Sequence, residues 1–299
     1  MATDYSLING LAGAAFVLLQ RILPKHLMTR GVHWLSRIRA TAFKNWLITR
    51  FVAAFNVDVR ETRSPVPDGY ATFNEFFTRE LAPGARPIDA RPDSLVSPVD
   101  GTVSAAGRID GETLLQAKGI DYTLSDLLAT DLADSRDFAD GCFATVYLAP
   151  YNYHRVHSPL ACELIHARYV PGALYSVNDT TVSRLPALFT GNERLICHFR
   201  TAAGPMILVF VGALHVGSIS TPWTGEIRPR KRGVVEDCNL HSRGHSRQLA
   251  KGDLLGWFNM GSTVILLLPE GYCSWLDNMA PGSQLKIGER IARLTKPVS

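Results

Sequence analysis

The chain has 299 residues, 46% of them hydrophobic, and a formal net charge of +4. That is enough to bury a large core as one substantial domain with an appendage. Its five cysteines (Cys142, Cys162, Cys197, Cys238, Cys273) are odd in number, scattered and free of any Cys-x-x-Cys spacing. They read as reduced thiols of a cytosol-facing protein, not as a disulfide framework.

The charge is unevenly distributed. Residues 1–60 carry eight Lys and Arg against Asp4 and Asp58, a net of +6, and the remainder is net −2. The same region shows helical periodicity. Leu7, Leu11, Ala15, Leu18, Leu19 and Ile22 share one face until Pro24 breaks the pattern. A second segment sets Leu35, Ile38, Ala42, Trp46 and Leu47 against Arg37, Thr41 and Lys44. The uncharged run Tyr5–Gln20 has 16 residues, including Ser6 and Asn9. A membrane span needs roughly 20 mostly apolar residues. Asp4 stands where a signal peptide would be basic. A basic amphipathic pair with Trp34 and Trp46 suits the headgroup layer of a membrane. Because the basic residues alternate with apolar stripes, the pattern argues against nucleic-acid binding.

The Pro-rich Ser64–Gly69 marks a boundary, dividing an amphipathic helical region, 1–63, from the main domain, 64–299. Thr72 is placed to cap a helix over Asn74–Leu81. From Arg91 onward short apolar runs alternate with Gly and Pro: Thr113–Ala117, Phe143–Leu148, Glu163–Val170, Leu195–Phe199, Met206–Val211, Val216–Ile219 and Thr263–Leu268. One helix is expected near Leu124–Leu128. The fold class is α+β, a β-rich domain of sandwich or barrel type preceded by amphipathic helices. The cluster Arg228-Pro229-Arg230-Lys231-Arg232 reads as a solvated loop, with lipid phosphate as the alternative ligand.

Three segments could carry chemistry. Asp100 lies in Ser97-Pro98-Val99-Asp100-Gly101-Thr102-Val103, a turn between apolar runs. His154 and His157, three apart after a strand, suit metal ligation, acid–base work or plain structural hydrogen bonding. No clear third metal ligand accompanies them. Met260-Gly261-Ser262-Thr263 precedes the apolar run Val264–Leu268. Gly261 allows unusual backbone conformations and close approach, and the Ser262 hydroxyl lies next to the carbonyl carbon of its own preceding peptide.

Together these segments resemble the phosphatidylserine decarboxylases of bacterial and mitochondrial type. The resemblance covers the Gly-Ser-Thr motif and Pro-x-x-Tyr-His-x-x-His-x-Pro over Pro150–Pro159. It includes Thr72–Arg79, Leu115–Gly119, Tyr169–Gly172, Asn192–Arg194 and Val216–Ile219, and runs from Val17 to Leu268 in the family's order. Met260 departs from the Leu common in bacterial members, and Arg228–Gln248 fits loosely.

The resemblance implies a self-cleaving precursor. Ser262 attacks the Gly261 carbonyl with Asp100 and His157 as its charge relay, and the chain splits into 1–261 and 262–299. Ser262 becomes a covalent pyruvoyl group, the only cofactor, with no metal. That group forms a Schiff base with phosphatidylserine, and His154 handles proton transfer as CO2 leaves, giving phosphatidylethanolamine. The partners implied are phosphatidylserine in an anionic membrane and the two subunits from one chain, with a homodimer of such pairs left open. The location implied is the cytoplasmic face of the cell membrane, or the inner mitochondrial membrane in a eukaryote, as a peripheral protein. Competing readings are a pyruvoyl decarboxylase of another amino acid, a Ser-His-Asp lipid hydrolase lacking the Gly-x-Ser-x-Gly elbow, and a non-catalytic membrane-binding relative.

Overall fold

The computed structural model describes residues 2–295 except 118, 131–134, 215–217, 231–232 and 242, with side chains from residue 12 onward. Its centre is the strand Ser262–Leu268, all seven residues of which are buried. A run of Val, Ile and Leu with no alternation is what a strand covered on both faces requires. It pairs antiparallel with Cys142–Leu148 on one side and Gly204–Val211 on the other.

The nine-stranded sheet continues outward through Arg194–Thr201 and Cys162–Val170 to Glu236–Asp237, and through Gly101–Arg108 to Gln284–Leu285. Gln248–Leu249 adds to Cys162–Val170. The two end strands do not pair with each other, so the sheet is open. The β-rich α+β class holds; the barrel alternative does not. Several expected runs form strands, and the helix Leu124–Leu128 has its expected bounds, capped by Thr123. The expected strand Val216–Ile219 falls partly outside the described residues, at Val216 and Gly217; the described strand is Ile219–Thr221.

A second sheet orders Gly225–Ile227, Ile219–Thr221, Leu254–Phe258 and Arg155–His157. Two chain segments pass between the sheets at the same place. Cys142–Leu148 leads into Arg155–His157, and Leu254–Phe258 leads through three residues into Ser262–Leu268. Ser262 lies opposite Leu148, Trp257 opposite Arg155, and Phe258 N–H donates to the His154 carbonyl at 3.0 Å. Pairing in both sheets therefore forces the histidine segment and the Gly-Ser segment into one seam.

The N-terminal region forms three helices, not two: α1 (Ala2–Ile22), α2 (Lys25–Leu35) and α3 (Thr41–Phe55). The expected segment from Leu35 to Leu47 is broken at 36–40. There the Ser36 carbonyl accepts from Asn74 N–H at 2.8 Å and Arg37 turns to Glu226 at 2.6 Å. The short helix α4 (Phe73–Phe77) is capped by Thr72 as expected, Oγ1 accepting from Glu75 N–H at 3.1 Å. It ends at Phe77, well short of the expected Leu81. Ile48 of α3 shares an apolar cluster with Val57, Tyr70, Phe73, Phe76 and Phe77, so α3 and α4 pack together across the Ser64–Gly69 segment.

α1 packs through Gly13, Val17 and Gln20. The Gln20 amide donates to Thr181 Oγ1 at 3.1 Å and accepts from Ser176 N–H at 2.8 Å. The apolar stripe read from the sequence therefore faces outward: Leu18, Leu19 and Ile22 are exposed, as are Leu27, Trp34 and Trp46. The side chains of Leu7 and Leu11 lie outside the described residues. Among the described residues no helix is long and apolar enough to cross a membrane.

Candidate active site

Ser262 opens the central strand with its side chain fully buried, and Oγ has no hydrogen-bond partner among the described residues. A buried hydroxyl left unpaired costs stability; Thr263 and Thr145 share that condition, and what sets Ser262 apart is its place directly after Gly261 at the sheet seam. The glycine before it is not held in a left-handed conformation, and a Cβ built there would meet only ordinary contacts, 3.5 Å from the Leu148 carbonyl oxygen and 3.7 Å from His154 Nε2. The backbone freedom expected at Gly261 is used one residue earlier, where Met260 adopts φ 118°. That conformation strains any residue with a Cβ, at about 1–3 kcal/mol. The Met260 side chain packs on the α3–α4 cluster.

His154 is fully buried, its ring 4.1 Å from that of Phe77. Nδ1 donates to the Asn152 carbonyl at 2.9 Å, so in the neutral ring Nε2 carries the lone pair. Nε2 has no partner among the described residues. Burial, reinforced by the Arg79 cation, pushes this imidazole down to about 3. A neutral base with a free lone pair thus sits beside the Gly261–Ser262 junction.

His157 lies at the end of Arg155–His157 and is also pushed down by burial. Its Nδ1 donates to the Gly252 carbonyl at 2.7 Å, and Nε2 is 3.2 Å from the Tyr153 hydroxyl. Asp100 is bound by Arg86, through Nε at 3.0 and 3.1 Å and Nη2 at 2.6 Å, and accepts from Ile287 N–H at 2.9 Å. The seam therefore brings His154 to the junction. The hydrogen bonds that would join Asp100 to His157 and His157 to Ser262 are not made in this geometry: Asp100 is held by Arg86 and Ile287 N–H, and both His157 nitrogens face other partners, while Ser262 Oγ stays unbonded among the described residues.

Two side chains that sequence reasoning left without a role belong to the site. Arg79 is buried, donates to the Tyr151 carbonyl at 3.3 Å, and has Nε and Nη1 without partners among the described residues. It is a cation held out of water near His154, suited to an anionic group. Asn259 is buried three residues before Ser262. Its amide donates to Ser218 Oγ at 2.8 Å and Ser220 Oγ at 3.0 Å, and accepts from Asn74 at 2.9 Å. Both Asn74 and Ser218 stand in segments already singled out, but nothing in those segments alone said that they meet.

A cavity of about 300 Å³ reaches Gly261 and Met260, walled by Phe51 and Phe55 of α3, Phe77 and Tyr147. The residues present fit a pyruvoyl group made from Ser262: its hydroxyl has no structural bond to lose, a base stands beside the junction, and the cavity opens onto it.

The family model for phosphatidylserine decarboxylase matches residues 73–293, and a second, described as PSD, matches residues 15–56. The chain belongs to the phosphatidylserine decarboxylase family. It is 43% identical over 279 residues to the phosphatidylserine decarboxylase proenzyme of Saccharophagus degradans, covering 93% of this chain and 97% of that one. The proenzyme of Chromobacterium violaceum is 45% identical over 93% of this chain and 98% of its own. For that of Alkalilimnicola ehrlichii the figures are 46%, 82% and 85%. In this chain the His154 Nε2 lies beside the Gly261–Ser262 junction, 3.7 Å from where a Cβ on Gly261 would stand.

Proposed function

We propose that the chain decarboxylates phosphatidylserine to phosphatidylethanolamine through a pyruvoyl group that it makes from Ser262. The observation that carries this reading is the buried Ser262 hydroxyl after Gly261, at the head of the central strand and beside Nε2 of His154, both atoms without a hydrogen-bond partner among the described residues. Ser262 Oγ attacks the Gly261 carbonyl carbon, turning the amide into an ester. Loss of the Ser262 α-proton expels the Gly261 carboxylate, and water then replaces the nitrogen, which leaves as ammonia. The products are chains 1–261 and 262–299.

His157 serves as base for the hydroxyl with Asp100 behind it, as the family motif implies. To do so its Nε2 must exchange the Tyr153 hydroxyl for Ser262 Oγ. Catalytic hydrogen bonds often tighten only in the reacting complex. His154, already at the junction, is the group that the family motif implies for proton transfer at the reacting carbon; its Nε2 lone pair must first take up the proton, from solvent or substrate, that it then delivers. When present, the pyruvoyl carbonyl supplies the electron sink that no ordinary side chain provides. Arg79 offers its unpaired guanidinium N–H groups to the substrate's carboxylate or phosphate, and the aromatic wall from α3 and α4 keeps water from the cavity.

The same reading places α1–α3 against an anionic bilayer, with the protein peripheral on its cytoplasmic face. Leu18, Ile22, Leu27, Trp34 and Trp46 face outward. Arg30, Arg37 and Arg228 line a basic cavity of about 650 Å³ beside Trp34. Exposed apolar side chains beside clustered cations suit burial at a lipid interface. Lys231 and Arg232, from the same basic run as Arg228, lie outside the described residues. The deciding experiment is Ser262→Ala. It should remain one chain and release no CO2 from phosphatidylserine, whereas processing or turnover by this variant would sink the reading.

A further inference from the structure

The sulfurs of Cys142 and Cys273 lie 3.5 Å apart although 131 residues separate them in the chain. Among the described residues no other two thiols are within hydrogen-bonding distance. Cys142 opens the strand Cys142–Leu148, opposite Leu268 at the far end of the central strand from Ser262. Cys273 opens Cys273–Trp275, paired to Leu294 on the separate sheet Ser94–Val96, Arg290–Leu294, Cys273–Trp275. Cys142 is buried, and Cys273 is partly open to solvent.

We propose that Cys142 and Cys273 form an oxidisable dithiol whose disulfide, made by a peroxide, covalently joins the two chains that self-cleavage separates. This rests on the reading of Gly261–Ser262 as the cleavage site, which leaves Cys142 in the large chain and Cys273 in the small one. Without it the small chain is held by non-covalent contacts: strand pairing, packing, and polar links such as Arg290 to Asp93 and Ile287 N–H to Asp100.

The chemistry balances with a peroxide as the sole oxidant. The Cys142 thiolate attacks one peroxide oxygen, the O–O bond breaks, and the sulfur becomes a sulfenic acid as hydroxide leaves. Cys273 gives up its proton and attacks that sulfur, forming the S–S bond and expelling a second hydroxide, which is protonated to water. Two thiols and one hydrogen peroxide thus yield one disulfide and two waters, with two electrons passing from sulfur to oxygen. The sulfurs must close from 3.5 Å to about 2.05 Å.

The surroundings favour this division of roles. The Cys273 thiol beside Cys142, with the Cys273 backbone N–H and the Arg108 cation, holds Cys142 below the ordinary thiol range in spite of burial. Cys273, which keeps the proton, is pushed up. Thiolate character marks the attacking sulfur. Burial pushes Cys162 up to about 11, and its sulfur is 3.1 Å from Ser158 Oγ, which makes Cys162→Ser a control.

The test uses the purified full-length protein after maturation, treated with hydrogen peroxide or with dithiothreitol, alkylated, and run on denaturing electrophoresis without reductant. Oxidised protein should migrate as one joined species that reductant splits into large and small chains. Cys142→Ser and Cys273→Ser should each lose the joined species, and Cys162→Ser should keep it. Chains that stay separate after oxidation, or a joined species that persists in both variants, would overturn the proposal. A single species with and without reductant would instead mean that the chain is uncleaved, a failure of the maturation reading alone. Peptide mass mapping of the oxidised wild type then decides the dithiol without any variant. Cys142 and Cys273 peptides joined and lighter by two hydrogens support it, and unjoined peptides refute it.

Discussion

Asn259→Ala probes how the junction is held. The Asn259 amide sits 3% exposed and makes three side-chain hydrogen bonds, to Ser218 at 2.8 Å, Ser220 at 3.0 Å and from Asn74 at 2.9 Å. At about 1 kcal/mol net for each bond, and more if a partner is left unsatisfied, the loss is about 3 kcal/mol. For a large domain that corresponds to a fall in Tm of roughly 6–12 °C. Stability is best read in a Ser262→Ala background, so that both proteins are single chains. Cleavage is read separately, by a time course of precursor disappearance in the Ser262 protein. Asn259 precedes the strained Met260 and Gly261, so releasing it frees the carbonyl that Ser262 must reach. A misplacement on the order of 1 Å costs up to about a hundredfold in rate, and slowing by at least tenfold is expected here. Ser220→Ala, which removes one bond, should show a smaller effect of the same kind. Wild-type cleavage in Asn259→Ala would refute the argument, because the hub would then be structural and nothing more.

Other predictions follow from the two histidines and the outer face of the helices. His157→Ala should block or greatly slow cleavage, whereas His154→Ala should mature yet lose decarboxylation; electrophoresis that finds the reverse would exchange their roles. The folded value of His154, about 3 against an ordinary 6.5, lies below the unfolded one. Below about pH 6.5 the unfolded chain therefore binds the extra proton and stability falls with pH, by about 2 kcal/mol at pH 5. His154→Asn, compared in the Ser262→Ala background, should lose much less Tm between pH 7 and pH 5; an equal loss would place the acid sensitivity elsewhere. Replacing Leu18, Leu19 and Ile22 with Ser should weaken binding to phosphatidylglycerol-containing vesicles, because these side chains are exposed and make α1's apolar face. Unchanged flotation with vesicles would remove α1 from the membrane contact.

The parts legible in sequence were those where local pattern and tertiary role coincide. Val264–Leu268 is apolar at every position because both faces are covered, and Leu124–Leu128 carries its cap in Thr123. The N-terminal periodicity was legible as a stripe, but not the direction it faces: Gln20, a polar residue, anchors α1 while Leu18 and Ile22 point away. The break after Leu35 depends on Asn74 and Glu226, partners far along the chain, and no window around Ser36 contains them. Short pairings such as Gln284–Leu285 carry too few residues for a period. The same limit applied to the site. Asp100, His154, His157 and Ser262 stood out by type and spacing, whereas Arg79 and Asn259 look like ordinary polar residues until the fold buries them. The special backbone expected at Gly261 occurs at Met260, a residue with a side chain that packs against the α3–α4 cluster.

The mass of the purified small chain tests the central claim most directly. A self-made pyruvoyl group predicts a chain spanning 262–299 that is lighter by one ammonia than the serine-headed peptide, resists amino-terminal sequencing, and is accompanied by a large chain ending at Gly261. An intact chain of all 299 residues in active protein, or a small chain that begins with an unmodified serine, would contradict it.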